Sequence, residues 1–199
     1  MKTFLFLSFL LFTLSPNLPH VLADDALDPV LDTDGNQLRP GTDYYILPVV
    51  RGRGGGLTLA STRNETCPLD VVQAQTEVDN GLPVTFSPFN GDSVVRVSTE
   101  QNIKFSASTV CAQSTVWRLE SVEGVRVVTT GGIEGNPGRE TLSNWFNIEK
   151  DGDDYKIVFC PTVCDICRPA CGNIGVVENG RRRLVILSEV PLKVVFKKA

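Results

Sequence analysis

Short apolar runs separated by turn residues fill most of this sequence, and this pattern limits what the chain can fold into. The runs are rich in Val, Ile, Leu and aromatic residues, many of them alternating with polar residues, as strands with one buried face require. Eleven runs are strand-like: "YYILPVV", "GLTLAS", "VVRVS", "NIKFS", "VWRLE", "VRVVTT", "WFNIE", "YKIVFC", "IGVV", "RLVIL" and "LKVVF". Turn sequences such as "DTDGNQ", "EGNPG" and "KDGDD" lie between them. No window has the apolar spacing of an amphipathic helix of several turns, so we predict an all-β protein.

The number of predicted strands indicates how they are arranged. About eleven or twelve strands in one domain are typical of a β-sandwich or a closed β-barrel. The segments "YYIL", "VWRLE" and "YKIVF" each follow a polar turn and place aromatic beside aliphatic residues. They recur at intervals of roughly forty to seventy residues, which favours a barrel with threefold internal repetition.

The first residues have the pattern of a secretory signal peptide. In "MKTFLFLSFLLFTLSPNLPHVLA", the basic Lys2 precedes an apolar run, and small residues follow at Val21 and Ala23. The apolar run has about ten residues, whereas a transmembrane helix needs about twenty. We therefore expect a signal peptide at residues 1–23, followed by a secreted chain that forms one domain at residues 24–199, with no membrane anchor.

Charge and histidine content exclude several functions for the secreted chain. It has one cation fewer than the 19 of the full sequence and keeps all 23 acids, which gives a formal charge of −5. A chain of this charge without a long basic tract is not expected to bind nucleic acid or anionic membranes. The only histidine, His20, lies in the expected signal peptide. Without an imidazole, Ser/His/Asp and Cys/His catalysis and histidine zinc sites are excluded, and we expect no enzyme, no metal site and no cofactor.

Four of the six cysteines lie in "CPTVCDICRPAC", Cys160–Cys171, here called the stapled tract. Four closely spaced thiols can also hold zinc or act in redox chemistry, but thiols on the secretory route are normally oxidised, and Pro161 and Pro169 disfavour a redox helix. Disulfides are therefore favoured. Six cysteines allow fifteen pairings, of which the nested arrangement is the natural one: Cys67–Cys111, Cys160–Cys171 and Cys164–Cys167. No cysteine is then left for a linked dimer, so we expect a monomer.

Residues 30–46, "VLDTDGNQLRPGTDYYI", carry a family resemblance that continues along the whole secreted chain. Further matching segments are "GGGLTLA", "CPLDVVQ", "STVWRL", "WFNIE", "YKIVFCP", "CGNIGV" and "GRRRLVILSEVPLKVVF". The chain resembles the plant Kunitz-type inhibitors, the soybean trypsin inhibitor family, and its six cysteines are most similar to those of the miraculin-like group. The resemblance implies a β-trefoil, in which twelve strands in three pseudo-repeats form a six-stranded barrel capped by three hairpins. It also implies the nested disulfide pairing.

The resemblance further implies that the chain inhibits proteases through the loop between the fourth and fifth strands. That region reads "FSPFNGDSVVRVS", Phe86–Ser98, and the expected site residues are Ser87, Pro88, Phe89, Asn90, Gly91, Asp92 and Ser93. Alignment from Ser87–Pro88 places the primary contact near Gly91, Asp92 or Ser93. The tip contains no Arg or Lys, and Arg96 is expected to be a solvated residue of the following strand. Phe89 is open to two interpretations, as a ligand for a chymotrypsin-like pocket or as hydrophobic support.

A second departure from the family pattern lies below this loop. Family inhibitors place there an Asn that hydrogen-bonds to the loop, but this chain has Pro40, which has no side-chain amide. We therefore expect weak inhibition of trypsin, and a cysteine protease or another serine protease remains open as the target. Two further tracts are candidate surfaces: "GGIEGNPGRETLSN", residues 131–144, which contains Arg139 and is here called the Gly-rich tract, and the stapled tract with Arg168. Arg181, Arg182 and Arg183 are expected to flank a hairpin.

The remaining predictions concern modification, location and the alternative function. Asn64 begins the sequon Asn64-Glu65-Thr66, and N-glycosylation is expected there in a secreted chain. The expected location is the extracellular space (apoplast) or the vacuole, in a defence role. The alternative is a non-inhibitory storage or small-ligand-binding trefoil. Sugar binding is its weakest version, because the repeated Gln-x-Trp pattern of trefoil lectins is absent and Trp117 and Trp145 are expected to be core residues.

Overall fold

The computed structural model describes residues 27–179 and 182–199, without the side chains of Asn179, Arg182 and Arg183. The expected signal peptide at residues 1–23 and the expected start of the domain at residue 24 lie outside these ranges, as does Arg181.

The described residues form an all-β structure, as the sequence pattern predicts. They contain twelve strands: β1 (Tyr44–Pro48), β2 (Leu57–Ala60), β3 (Asp70–Gln73), β4 (Val84–Pro88), β5 (Glu100–Phe105), β6 (Arg118–Val122), β7 (Val125–Thr129), β8 (Phe146–Asp151), β9 (Asp154–Phe159), β10 (Gly172–Asn179), β11 (Arg182–Ser188) and β12 (Lys193–Lys198). The single helical element among the described residues is a short 3₁₀ turn at Leu142–Asn144.

Six of the strands form a closed ring. The pairs β1–β4, β4–β5, β5–β8, β8–β9 and β9–β12 run around the ring, and β12–β1 completes it. The other six strands form the hairpins β2–β3, β6–β7 and β10–β11, which contact one another through β3–β7, β3–β11 and β7–β11. Each set of four consecutive strands therefore gives two strands to the ring and one hairpin to the cap. Ring closure leaves no free sheet edge in the barrel.

Three predictions for individual strands are wrong. β3 (Asp70–Gln73) was missed because all four of its residues are buried, so the apolar-polar alternation of a half-exposed strand is absent. β4 (Val84–Pro88) was missed because it ends in a proline. The segment "VVRVS" is not a strand but part of a loop, with an isolated bridge between Arg96 and Pro29. Its backbone is held by the N-terminal segment, and Ser98 turns the chain with φ at +54°.

Aromatic side chains fill the barrel. The Phe86 ring lies 5.5 Å from that of Phe196 in an edge-to-face contact, and Trp117 lies 5.7 Å from Phe146 in the same geometry. Trp117 and Trp145 are 0% and 1% exposed, which confirms the prediction that both are core residues.

Three disulfides are present, and they join the pairs that the sequence favoured. Cys67–Cys111 connects the β2–β3 and β5–β6 loops across a sequence separation of 44 residues. Cys160–Cys171 and Cys164–Cys167 are nested within the β9–β10 connection. In the part of the chain that the structure describes, no cluster of three or more His, Cys, Asp or Glu residues is arranged to hold a metal ion, and no helix is long and apolar enough to cross a membrane.

Two phenylalanines three residues apart provide a matched test of this core. Phe86 is fully buried in the barrel, whereas Phe89 is 48% exposed. We expect Phe86→Ala to lower the free energy of unfolding by about 3–5 kcal/mol, since it removes buried surface and leaves a cavity. Phe89→Ala is the control and should change it by less than about 1 kcal/mol. Urea unfolding followed by tryptophan fluorescence measures both, and equal losses would contradict this description of the core.

Candidate functional site

The expected site residues lie where β4 ends and the chain turns back to β5. Ser87 and Pro88 are the last two residues of β4. The following connection, residues 89–99, is here called the β4–β5 loop, and it contains Phe89, Asn90, Gly91, Asp92 and Ser93. The position of these residues between the fourth and fifth strands agrees with the sequence analysis, but their role stays a prediction.

The tip of the β4–β5 loop is a tight turn. The Gly91 N–H donates to the Pro88 carbonyl at 3.1 Å, and the Phe89 N–H donates to the Glu100 carbonyl at 2.9 Å. Gly91 has φ at +68°, a conformation that glycine adopts without steric cost. The turn leaves Phe89 48% exposed, so the tip presents a large apolar side chain.

An ion pair inside the loop braces the segment that follows the tip. The Arg96 Nε donates to Asp92 Oδ2 at 2.8 Å, and Arg96 Nη1 donates to the Leu27 carbonyl at 2.8 Å. Asp92 also accepts from the Val94 N–H at 3.3 Å, while its own N–H donates to Asn90 Oδ1 at 3.0 Å. The hydrogen bond from Arg96 is the main cause that lowers the pKa of Asp92 below its ordinary value. The expectation of a solvated Arg96 on a strand is therefore wrong, since its side chain is only 25% exposed and is engaged within the loop.

The N-terminal segment supports the loop from beneath. Val95 accepts from the Val30 N–H and donates to the Leu38 carbonyl, both at 2.9 Å. The Val97 N–H donates to the Asp28 carbonyl at 2.9 Å. Val30, Leu38 and Val95 are each 0% exposed, so these backbone bonds are shielded from water. Pro40 has no side-chain amide of the kind that family inhibitors use to support the loop. The backbone bonds of Val95 and Val97 and the Asp92–Arg96 pair support it instead.

The Gly-rich tract is attached to the same hairpin. The Ser87 hydroxyl donates to Glu134 Oε1 at 2.6 Å, and Lys104 Nζ contacts Glu134 Oε2 at 3.2 Å. The bond from Ser87 is the main cause that holds the pKa of Glu134 below its ordinary value. The Gly135 N–H donates to Asn102 Oδ1 at 2.7 Å, and Asn102 Nδ2 donates to the Asn144 carbonyl at 2.9 Å. The buried Asn102 of β5 thus joins Gly135 within the tract and Asn144 at its end to the strand beside the site.

The stapled tract is attached to the first residue of β5. The Thr162 N–H donates to Glu100 Oε1 at 2.9 Å, and the Thr162 hydroxyl bonds to the same oxygen. Beyond this attachment, Ile166 projects between Cys164 and Cys167 with 78% of its side chain exposed. The β4–β5 loop, the Gly-rich tract and the stapled tract are far apart in sequence, but all three are attached to the hairpin of β4 and β5.

Sequence reasoning missed the residues that make these attachments. Glu100, Gln101 and Asn102 are 7%, 1% and 1% exposed, although they form a polar run at the start of β5. Glu100 and Asn102 make the attachments, whereas Gln101 Nε2 has no hydrogen-bond partner among the described residues. Three consecutive polar residues at the start of a strand are a signal that they satisfy loop backbone, because buried polar groups require hydrogen-bond partners.

The remaining predicted residues make no contact with the β4–β5 loop that the described hydrogen bonds and ion pairs include. Asn64 is exposed in the β2–β3 connection, as an acceptor of a glycan must be, and its modification stays a prediction. Arg139 is exposed and lines a groove of about 340 Å³ together with Pro169 of the stapled tract. Arg168 Nη1 donates to the Cys167 carbonyl at 2.8 Å. Arg182 and Arg183 lie on β11, in the hairpin where they were expected.

The Asp92–Arg96 pair predicts a specific titration. Because the pKa of Asp92 is lowered in the folded protein, the pair stabilises the loop above the ordinary carboxyl pKa and is lost as the pH falls through the lowered value. In Arg96→Gln, the pKa of Asp92 should return toward the ordinary value of about 3.9. The pKa of Glu134 should not change in that variant and should rise instead in Ser87→Ala. Carboxyl carbon NMR titration measures both groups, and an unchanged Asp92 pKa in Arg96→Gln would refute the brace.

Comparison with known proteins identifies a matching family, similar sequences and similar solved structures. Residues 30–198 match the Kunitz family of legume type, described as trypsin and protease inhibitor. Kunitz trypsin inhibitor 5 of Arabidopsis thaliana is 49% identical over 183 residues, which cover 90% of each chain. Miraculin of Synsepalum dulcificum is 51% identical over 189 residues, which cover 88% of this chain and 86% of miraculin. The solved structure of the bifunctional α-amylase/subtilisin inhibitor of rice, Oryza sativa, has a TM-score of 0.73 and 41% identity, and covers 87% of this chain and 100% of that one. The chain therefore belongs to the Kunitz-type family of trypsin and protease inhibitors, whose members are inhibitors and not enzymes.

Proposed function

We propose that this chain inhibits a serine protease whose primary pocket accepts a large apolar side chain, and that Phe89 fills that pocket. The observation that carries this proposal is the exposed Phe89 at the tip of a loop that has no Arg or Lys between Ser87 and Val95. Gly91 has no side chain, and the Asp92 side chain is directed to Arg96, so these two residues are poorer primary contacts than Phe89.

A rigid loop inhibits because it enters the protease cleft as a substrate does but loses little conformational entropy on binding. In this chain the β4–β5 loop is held by Val95 between Val30 and Leu38, and by Arg96 between Asp92 and Leu27. These anchors hold the C-terminal side of the tip, and the bond from the Phe89 N–H to the Glu100 carbonyl holds the N-terminal side, so both sides remain in place if the bond at the tip is cut. The cleaved ends would then stay together, so cleavage is slow and readily reversed.

Trypsin is a poor target for this loop. Its primary pocket contains a buried carboxylate that requires Arg or Lys, and the one cation of the loop, Arg96, is occupied by Asp92. Chymotrypsin-type or subtilisin-type pockets suit Phe89 better, and the rice relative named above is a subtilisin inhibitor by its description. The Gly-rich and stapled tracts supply secondary contacts, or the primary surface if the target is a cysteine protease.

The same proposal includes the architecture and processing of the chain. The closed six-strand ring and its three hairpins support assignment to the β-trefoil fold. We further propose a monomer of the miraculin-like group that loses residues 1–23, carries a glycan on Asn64, and acts in defence from the apoplast or the vacuole.

A non-inhibitory storage or small-ligand-binding protein is the second candidate function. The observation that favours it is the hydrogen bond from Gly91 to Pro88, which folds the tip into a turn, whereas a protease cleft binds an extended segment. While the Gly91–Pro88 hydrogen bond is present, the tip is not extended, and it would have to open before it could enter a protease cleft.

Inhibition assays on loop variants test the first candidate. The disulfide-intact protein should inhibit chymotrypsin or subtilisin at near-equal concentrations, with little effect on trypsin or papain. Phe89→Ala should weaken inhibition by about 30–100-fold, because a buried aromatic anchor contributes at least about 2 kcal/mol. Phe89→Arg should gain inhibition of trypsin, whereas Asp92→Arg should not, since residue 92 faces Arg96. Ile166→Ala in the stapled tract is the matched control and should leave chymotrypsin inhibition within a few-fold.

Each other outcome of these assays identifies a different explanation. A gain on trypsin from Asp92→Arg but not from Phe89→Arg would place the primary contact at residue 92. Papain inhibition that falls in Ile166→Ala would assign the activity to the stapled tract. No inhibition of any of the four proteases would refute the inhibitor proposal and favour the storage or ligand-binding candidate.

A further inference from the structure

A second concave surface shares no residue with the β4–β5 loop or with the two tracts attached to it. It is a groove of about 390 Å³ between the β1–β2 connection and the β11–β12 connection. Its walls include Pro48, Val50, Val190 and Leu192. Val50 and Val190 are 52% and 74% exposed, so this apolar surface is open to solvent. A groove of this size and lining suits a small organic molecule.

Gln73 contributes a buried polar group to the groove. Its side chain is 2% exposed, and its Nε2 donates to the Gly55 carbonyl at 3.0 Å. The Gly55 backbone is held in turn by a 2.8 Å bond to the Ala74 carbonyl, so the direction of the amide is set. The other amide atom, Oε1, has no hydrogen-bond partner within the described residues. An unpaired buried acceptor is unfavourable, and a donor that enters the groove and displaces the side chains covering Oε1 would relieve it.

Two cations border the same groove, Arg53 and Lys193. Lys193 is paired with Asp151 at 3.2 Å. Arg53 makes no ion pair with any described side chain, and it is exposed. No acid among the described residues lines the groove. Its rim therefore carries one positive charge that is not neutralised locally.

We propose that this groove binds a small apolar organic anion that also carries one hydroxyl or N–H donor. The apolar rings of such a molecule would lie between Val50 and Val190, its donor would reach Gln73 Oε1, and its carboxylate or sulfonate would pair with Arg53. A neutral apolar molecule would leave the charge of Arg53 unused, and a cation would be repelled by it. This site does not depend on the inhibitor proposal, because it uses a different surface of the molecule.

The probe 8-anilinonaphthalene-1-sulfonate matches this description, since it has apolar rings, one N–H donor and one anion. Its fluorescence should rise on titration into the folded, disulfide-intact protein and saturate at a single site per chain. Arg53→Gln should weaken binding about fivefold, the size expected for an exposed ion pair. Arg51→Gln is the matched control, because Arg51 lies on the same connection and does not line the groove. N-phenyl-1-naphthylamine has the same rings and N–H but no anion, and its affinity should be equal in both arginine variants.

Two further variants test Gln73 and Val190, which both line the groove. Gln73→Leu should weaken both probes about tenfold by removing the acceptor. If that variant does not fold, Val190→Asp should abolish binding without disturbing the core, since Val190 is on the surface. Val78→Asp is its control, because Val78 is 87% exposed and lies outside the groove. Non-saturable binding, equal effects of Arg51→Gln and Arg53→Gln, or binding that survives Val190→Asp would overturn the proposal. Chymotrypsin inhibition should be unchanged in all four surface variants, so failure of this site is distinguishable from failure of the inhibitory loop.

Discussion

The pairing of β12 with both β1 and β9 is the constraint on which the rest of the structure depends. Five residue pairs join β12 to β1, and two more join it to β9, so the last strand of the chain closes the ring that the first strand begins. Phe196 of β12 lies inside the ring, 5.5 Å from Phe86 and 5.6 Å from Tyr155. Because every ring strand then has two neighbours, the barrel has no free edge strand and forms a rigid base for its loops.

That base explains why the β4–β5 loop keeps its shape although it has no regular secondary structure. Phe86 fixes the end of β4 in the core, and Val95 fixes the far side of the loop between Val30 and Leu38. The segment between these anchors includes the exposed Phe89, Asn90, Gly91 and Ser93, and the Asp92–Arg96 pair restrains it. The loop is therefore ordered before any partner arrives, which is the property that tight inhibition requires.

Buried polar residues at the start of β5 connect the barrel to the surrounding tracts. Glu100 accepts two hydrogen bonds from Thr162, and Asn102 binds Gly135 and Asn144 of the Gly-rich tract. Burial of such groups is favourable only when their bonding capacity is met, so these contacts also restrict where the tracts can lie. The same hydrogen bonds hold both tracts against the β4–β5 hairpin.

Alternating apolar runs, turn residues and cysteine spacing in the sequence were enough to predict the all-β class, most of the strands and the nested disulfides. These features are local, because strand patterning depends on neighbours in sequence and turn chemistry depends on single residues. The lack of Arg or Lys at the loop tip could likewise be read directly. Family resemblance added the place of the loop between the fourth and fifth strands.

Features that depend on distant partners were decided only by the tertiary structure. Strand β3 is buried among three neighbours, so nothing in its four residues shows the alternation of an exposed strand. Arg96 looked like a solvated strand residue until its bonds to Asp92 and Leu27 were known, and the second of these crosses 69 residues of sequence. The sequence by itself determined which segments can be strands and which side chains stand at the loop tip. Tertiary packing decided which of these segments are buried and which of these side chains are fixed by a partner. A hydrogen bond or an ion pair forms only where the fold brings its two partners together.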